Sequence, residues 1–361
     1  MCTDRIPRPY RSNAGQGNAP DPATGTDPGT TGPAAGIHRP AETPGAAAGI
    51  HGAAGIPGPP ESPGPAGTPA SSGVRSSKDD GGRRRNLDYP PAPEPLPVPV
   101  MDNHTHLDFH DGLVRVAVAD ALDAAEAVGV KGAVQVGTDL ESSRFTVAAL
   151  ELDRRLLGAV ALHPNDAPEL AADGTLEQAL AEIEELAGHP RVRAIGETGL
   201  DYFRTEAPGR GDQQYSFRRH IDMAKRLGLA LQIHDREAHD DVVAALRSEG
   251  APAKVVFHCF SGDEELARIC NDNGWYMSFA GTLTFRNADN LRAALAVARP
   301  ELMLVETDSP FLTPHPFRGR PNASYMVPYT VRAMAEVLGT DLSRIGERLA
   351  ANTEAVYGSW E

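Results

Sequence analysis

The sequence contains few cysteines and no long apolar run, and each of these shortages excludes a class of protein. Three cysteines among 361 residues are too few and too scattered for a disulfide framework, so we expect a reducing cytoplasm. No stretch approaches the roughly eighteen apolar residues of a membrane span, and the first residues lack the apolar region of a signal peptide. We therefore expect a cytoplasmic protein with no membrane partner.

Large apolar residues are scarce in residues 1–100, which hold 20 of the 31 prolines and 16 of the 36 glycines. Such a segment cannot bury enough apolar surface to offset the entropy of ordering its chain. We predict a disordered tail over residues 1–96 and one folded domain over 97–361. The arginines at positions 83–85 stand beside aspartates in this tail, which favours a solvated linker over a nucleic-acid contact.

Basic residues are outnumbered, with 34 Lys and Arg against 49 Asp and Glu and a net charge of −15. The first hundred residues contain nine of each kind, so the negative charge belongs to residues 101–361. A domain with this charge is poorly suited to coating duplex DNA without specificity. It remains compatible with binding cations and with a small basic cleft.

Eight short apolar runs alternate with longer amphipathic segments in the folded domain. The predicted strands are 97–104, 132–137, 156–162, 192–197, 229–234, 254–259, 275–280 and 302–306. Strands that read as continuous apolar runs, each followed by a helix, indicate a parallel sheet that is buried on both faces. Eight such units in this length favour a TIM (β/α)8 barrel. An open dinucleotide-binding sheet is disfavoured because no G-x-G-x-x-G follows an early strand.

Six of the eight predicted strands end in His, Glu or Asp, at the barrel face where functional residues lie. The first ends in His104 and His106, whose imidazoles share one face because side chains alternate along a strand. The others end in His163, Glu197, His234, His258 and Asp308. Imidazole and carboxylate ligands without clustered thiolates suit Mg, Mn, Zn or similar divalent ions. Four of these histidines with the two carboxylates already exceed one ion's needs, whereas two ions about 3.5–4 Å apart, bridged by a carboxylate, would use all six.

With these motifs, residues 97–361 resemble the TatD family of metal-dependent deoxyribonucleases. The pieces that carry the resemblance are Asp102–Asp108, Leu162–Pro164, Ala194–Tyr202, Gln232–Arg236, His258–Gly262 and Glu306–Leu312. It implies that one ion is held by His104, His106, Glu197 and Asp308. The second would be held by Glu197, His234 and His258, with Glu197 as the bridge. Asp308 would take a proton from the attacking water, so Asp308 and Glu197 are the expected catalytic residues.

Four further residues are candidates for substrate contact: His163, Arg236, Tyr202 and Ser261. His163 is similar to a family position near the substrate, and the other three follow expected ligands closely. Arg236 is the best phosphate candidate because a guanidinium forks onto phosphate oxygens, the alternative being an ion pair with Asp235 or Glu237. The arginines of the 317–322 stretch either supply local positive charge or form a solvated turn.

The expected activity is hydrolysis of DNA phosphodiesters by metal-activated water, removing nucleotides from the 3′ end of single strands. It would require two divalent ions and no obligate protein partner. The metal-hydrolase part rests on residue spacing, whereas the DNA part rests on the resemblance, because a fold alone does not imply a function. The alternatives are hydrolysis of another ester or amide, such as a D-aminoacyl-tRNA ester, and a non-catalytic scaffold. The intact ligand set argues against the scaffold.

Overall fold

In the computed structural model, which describes residues 84–360 and the backbone of residues 73–74, eight parallel strands form one curled sheet. They are β1 (Val100–Thr105), β2 (Val130–Val136), β3 (Leu156–Val160), β4 (Val192–Asp201), β5 (Ala230–Arg236), β6 (Val255–Phe257), β7 (Tyr276–Phe279) and β8 (Met303–Val305). The strand order in the sheet follows the chain, and a parallel bridge between Thr105 and Ser309 links its two edges. The predicted barrel is therefore confirmed.

Ten α-helices occur in the described residues. They are α1 (Val118–Glu126), α2 (Leu140–Leu152), α3 (Ala167–Ala172), α4 (Leu176–Ala187), α5 (Arg210–Leu227), α6 (His239–Glu249), α7 (Glu264–Asn273), α8 (Asp289–Val297), α9 (Val327–Leu338) and α10 (Leu342–Tyr357). Five of them, α5, α6, α7, α9 and α10, end at a glycine with positive φ, a conformation that costs glycine little because it has no Cβ. No helix among these is long and apolar enough to cross a membrane.

The apolar core lies between the sheet and the surrounding helices. Leu180 and Ile183 of α4 and Phe217 and Ile221 of α5 are fully buried. Burial of each such side chain contributes about 1.5–3 kcal/mol relative to its exposed state. The helices therefore hold the strands in place, and the carboxyl ends of the strands stay fixed relative to one another.

Residues 84–96 lie against the barrel, although the sequence predicts that they belong to the disordered tail. The Arg85 guanidinium pairs with the Asp111 carboxylate, and Leu96 packs into the core. The rest of this segment is ordered by hydrogen bonds to its carbonyl groups, which do not require large apolar side chains. The predicted solvated linker is thus wrong for Arg85. The remainder of the predicted tail, apart from residues 73–74, lies outside the described residues.

A buried histidine of α5 supports the loop that leads to the metal-ligand side of the barrel. His220 accepts a hydrogen bond from the Leu162 backbone N–H through Nε2 and donates through Nδ1 to the Ser216 carbonyl. Burial lowers the pKa of His220 from 6.5 to about 4, so its imidazole is neutral in the folded protein at neutral pH.

We predict that the free energy of unfolding of metal-free protein decreases as the pH falls from 6.5 to about 4, because His220 stays neutral in the folded state. In this window the unfolded chain binds a proton that the folded chain does not, which costs about 3 kcal/mol in total. Urea unfolding at several pH values should show that the free energy of unfolding falls less with pH in His220→Gln than in wild type, because an amide makes the same two hydrogen bonds without titrating. An equal fall in both proteins would contradict the assignment of this pH dependence to His220.

Candidate metal centre

Five strands bring the expected ligands together at the carboxyl end of the barrel. His104 lies in β1 and His106 directly follows that strand, while Glu197 lies in β4 and His234 in β5. His258 and Asp308 follow the ends of β6 and β8. His104 is fully buried and only 5% of Glu197 is exposed. The structure thus gathers all six residues that the sequence predicts as metal ligands.

The Glu197 carboxylate lies between two groups of imidazoles. Its Oε2 faces β1, at 3.5 Å from His104 Nε2 and 3.7 Å from His106 Nε2. Its Oε1 faces the opposite group and lies 2.6 Å from His234 Nδ1 and 2.8 Å from His258 Nε2. One carboxylate therefore offers one oxygen to each group, which is the arrangement that a bridging ligand requires.

Asp308 closes the cluster on the side of β1. Its Oδ1 is 3.4 Å from His106 Nε2 and 3.8 Å from His104 Nε2. The Asp308 backbone donates a hydrogen bond to the His104 carbonyl and adopts a positive φ of 54°. Non-glycine residues rarely adopt this conformation, and such residues concentrate at functional sites.

The outer ring nitrogens of the two β1 histidines are held by acceptors. His104 Nδ1 lies 3.0 Å from Gln232 Oε1, while the Gln232 amide nitrogen donates to the Asn103 carbonyl. His106 Nδ1 lies 3.0 Å from the Val136 carbonyl, which can only accept. Both histidines therefore carry their proton on Nδ1 when neutral, and the Nε2 lone pair of each points into the cluster.

The same arrangement holds for the other two histidines. His258 Nδ1 lies 3.3 Å from Glu306 Oε1, and His234 Nε2 lies 3.3 Å from Asp201 Oδ2. Each carboxylate accepts the imidazole N–H and leaves the opposite nitrogen free to bind a cation. Glu306, Asp201 and Gln232 all lie inside the quoted sequence motifs, where the sequence assigns them no role.

The charges of the cluster balance one another. Burial raises the pKa of Glu197, but His258 and His163 outweigh burial and hold that pKa well below its usual range. Burial lowers the pKa of His106 and of His234, yet their carboxylate neighbours raise each pKa to about 9. Without a metal ion, imidazolium protons therefore compensate the buried carboxylates at neutral pH.

The donor atoms fit a divalent ion. Three overlapping sets of residues place their ligand atoms within 4.8 Å of one another. They are His104, His258 and Asp308; His104, His106 and Glu197; and His163, Glu197 and His234. Imidazole nitrogen and carboxylate oxygen are the ligands that Zn, Mn and similar ions accept. His163, which the sequence assigns to substrate contact, thus also lies within reach of a metal ion.

The other predicted substrate residues lie around this cluster with different partners. The Arg236 guanidinium covers the Phe203 ring at 3.8 Å, and among the described residues it pairs with neither Asp235 nor Glu237. The Tyr202 hydroxyl donates to Asp241, and the Ser261 hydroxyl donates to the Asp235 carbonyl. The structure does not bring these two hydroxyl groups to the metal ligands.

In the stretch after β8, neither arginine is a simple solvated turn residue. Arg320 donates to the carbonyl groups of Asp88 and Tyr89, so it holds the N-terminal segment. Arg318 lies over the Phe285 ring at 4.4 Å.

Known proteins with similar sequences and structures point to one family. Residues 101–358 match the model of the "TatD related DNase" family. A Mycobacterium tuberculosis protein described as "Uncharacterized metal-dependent hydrolase TatD" is 45% identical over 266 residues, covering 72% of this chain and 98% of that protein. A Bacillus subtilis metal-dependent hydrolase is 35% identical with the same coverage. The crystal structure of the TatD homologue YJJV from Escherichia coli has a TM-score of 0.66 at 28% identity, covering 72% of this chain and 98% of that one.

We predict that metal binding releases protons and tightens as the pH rises from 6 towards 9. His106 and His234, with a pKa of about 9, are protonated below that pH in metal-free protein, and despite burial Glu197 and Glu306 hold the pKa of His258 well above its usual value. All three must become neutral to bind an ion. Calorimetric titration with Mn²⁺ in buffers of different ionisation enthalpy should show release of about three protons per chain at neutral pH.

His189→Gln, which changes a partly buried histidine that pairs with Glu151 and not with the metal ligands, should behave like the wild type. Affinity that is independent of pH would contradict the prediction.

Proposed function

Because this chain belongs to the TatD family of metal-dependent hydrolases, we propose that it is a deoxyribonuclease that uses divalent ions. The proposed reaction is removal of nucleotides from the 3′ end of single-stranded DNA by hydrolysis of phosphodiester bonds. The name of the matching family supports DNA as the substrate, and the geometry of the site supports the hydrolytic chemistry. The proposed site of action is the cytoplasm.

The position of Glu197 between two groups of imidazoles carries this proposal. We assign His104, His106 and Asp308 to one ion, His234 and His258 to a second, and Glu197 to both. His163 Nε2, at 3.4 Å from Glu197 Oε1, stands beside the second group. It is placed either to join that group or to contact a phosphate oxygen.

Divalent ions held here would lower the pKa of water and stabilise negative charge on a phosphodiester. The remaining work falls to residues of the chain. Burial raises the pKa of Asp308, but the hydrogen bond to His106 and the nearby imidazoles outweigh burial and lower that pKa. Asp308 is thus ionised at neutral pH and can accept a proton from the attacking water.

Arg236 is the proposed phosphate contact. Its guanidinium packs on Phe203 and has no carboxylate partner in the described part of the chain, so its positive charge is not neutralised locally. Guanidinium groups bind phosphate oxygens in a bidentate manner. Tyr202 and Ser261 are weaker candidates because their hydroxyl groups already donate to other residues.

The activity assay uses protein stripped with a chelator, then supplied with Mg²⁺ or Mn²⁺ and a 3′-labelled single-stranded oligonucleotide. We expect metal-dependent release of labelled mononucleotides. Asp308→Asn should lower kcat by about 10²–10⁴-fold because it removes the proton acceptor and a ligand. Glu197→Ala should abolish turnover because it removes the bridging carboxylate. Asp222→Asn, on the outer surface of α5, is the matched control.

Full activity of Asp308→Asn would contradict the role of that residue. If wild-type protein binds two ions per chain yet cleaves no DNA, the deoxyribonuclease assignment fails. The metal-loaded protein and its variants would then be assayed for hydrolysis of a D-aminoacyl-tRNA ester and of a cyclic amide.

A further inference from the structure

The strongest unassigned feature is the segment 84–96, which we call the N-terminal strap. The family match begins only at residue 101, so the strap lies outside it. We propose that the strap fixes the walls of the substrate entrance beside His106 and thereby determines how tightly a nucleic-acid strand binds. The nature of the substrate in this inference rests on the proposed function. The contacts of the strap do not depend on that function.

One guanidinium of the strap joins two loops at the carboxyl end of the barrel. Arg85 donates to both carboxylate oxygens of Asp111, at 2.9 and 2.6 Å, in the loop that follows β1. It also donates through Nε to the Gly319 carbonyl, 2.8 Å away, in the loop that follows β8. Both charged side chains are almost fully buried, at 4% and 0% exposed. Paired buried charges of this kind hold a defined geometry, and loss of one partner is costly.

Further hydrogen bonds join the strap to both loops. Tyr89 donates its hydroxyl hydrogen to the Asp111 carbonyl, 3.0 Å away. Arg320, in the loop after β8, donates to the Asp88 and Tyr89 carbonyls at 2.9 and 2.8 Å. Donors therefore lie on both sides of the contact between the strap and the loop after β8, whereas the strap alone donates to the loop after β1. The strap thus connects the two loops as a third element.

The chain that precedes the strap reaches the same loop. The backbone of Gly73 and Val74 pairs in parallel with Phe109 and His110. The loop after β1 is thus held by the N-terminal extension at residues 109–110 and again at Asp111.

These loops carry the aromatic side chains that cover one ligand of the metal centre. The Phe109 ring lies 6.0 Å from the His106 ring, and the Phe311 ring lies 6.2 Å from it. The two phenylalanine rings also contact each other edge to face at 5.6 Å. Phe109 comes from the loop after β1 and Phe311 from the loop after β8, so the loops meet above His106. They form one wall of the approach to the centre.

The metal ligands themselves do not depend on the strap. The backbone of His106 donates to the Ser309 carbonyl, and Asp308 donates to the His104 carbonyl, so the barrel closure positions these ligands. Breaking the contacts of the strap should therefore leave the bound ions in place, while the loops that carry Phe109 and Phe311 become more mobile. The consequence should be weaker binding of an extended strand, with little effect on a small diester that does not reach the wall.

The test compares full-length wild-type protein with Arg85→Met, Arg85→Lys and the double variant Arg85→Met/Asp111→Asn. The double variant also removes the buried negative charge that Arg85 faces, so it reports on the strap even if Arg85→Met folds poorly. Arg144→Met, which breaks an ion pair with Glu182 on the outer helices, is the matched control. The readouts are amide hydrogen exchange in residues 107–117 and 311–321, bound metal, and kinetics on a single-stranded oligonucleotide and on bis(4-nitrophenyl) phosphate.

We expect faster exchange in both loops of Arg85→Met and of the double variant, with unchanged metal content. KM for the oligonucleotide should rise roughly three- to tenfold, whereas kcat/KM for the small diester should stay within about twofold. Arg85→Lys should give exchange rates and KM values between those of these variants and wild type. Lysine keeps the positive charge but cannot bind both carboxylate oxygens in the bidentate way of a guanidinium. Arg144→Met should resemble wild type in every readout.

Unchanged exchange in both loops would overturn the proposal. Equal loss of activity on both substrates would also overturn it, since that result would mean damage to the metal centre itself. If wild-type protein hydrolyses neither phosphodiester, the proposed function fails. The exchange comparison then still decides whether the strap holds the two loops.

Discussion

The contact between one buried carboxylate, Glu197, and the imidazoles on either side of it governs the carboxyl end of the barrel. A charge buried in a low-dielectric interior is costly unless opposite charge lies beside it. In the metal-free protein the compensating charge comes from imidazolium protons. His106 and His234, each with a pKa of about 9, are protonated at neutral pH. Divalent ions can replace these protons as the positive charge beside Glu197. In the metal-free and in the metal-bound protein, the charges compensate one another only while the ligands keep their positions. The barrel holds the ligands in those positions.

This support has two layers. Buried acceptors such as Gln232 and Glu306 hold the outer nitrogen of a ligand histidine, so the ring cannot turn away from the cluster. The barrel closure between β1 and β8 places Asp308 against the β1 histidines. The strap acts one step further out, on the loops that lead to the site. The ligands therefore depend on the barrel itself, and the entrance depends on contacts that this chain adds to it.

Much of this arrangement can be predicted from the sequence because the ligands follow apolar strands in register with the barrel pattern. The eight strands and the clustering of residues such as His104 and Glu197 follow from that pattern alone. The positive φ of Asp308 and the acceptor role of Gln232 do not, because both depend on strands far apart in the chain. The order of the strap was missed for a related reason. A proline-rich segment has no periodic apolar signal. The order of this one comes from the Arg85 side chain and from the backbone carbonyl groups of Asp88 and Pro90, whose partners lie more than 20 residues away.

The central claim is that Glu197 bridges two divalent ions. A crystal of the full-length protein grown with Mn²⁺ and measured for anomalous scattering tests it most directly. The account predicts two anomalous peaks about 3.5–4 Å apart, one beside His104, His106 and Asp308 and one beside His234, with a Glu197 oxygen on each. A single peak that Glu197 does not contact, or two peaks outside this cluster, would contradict the account.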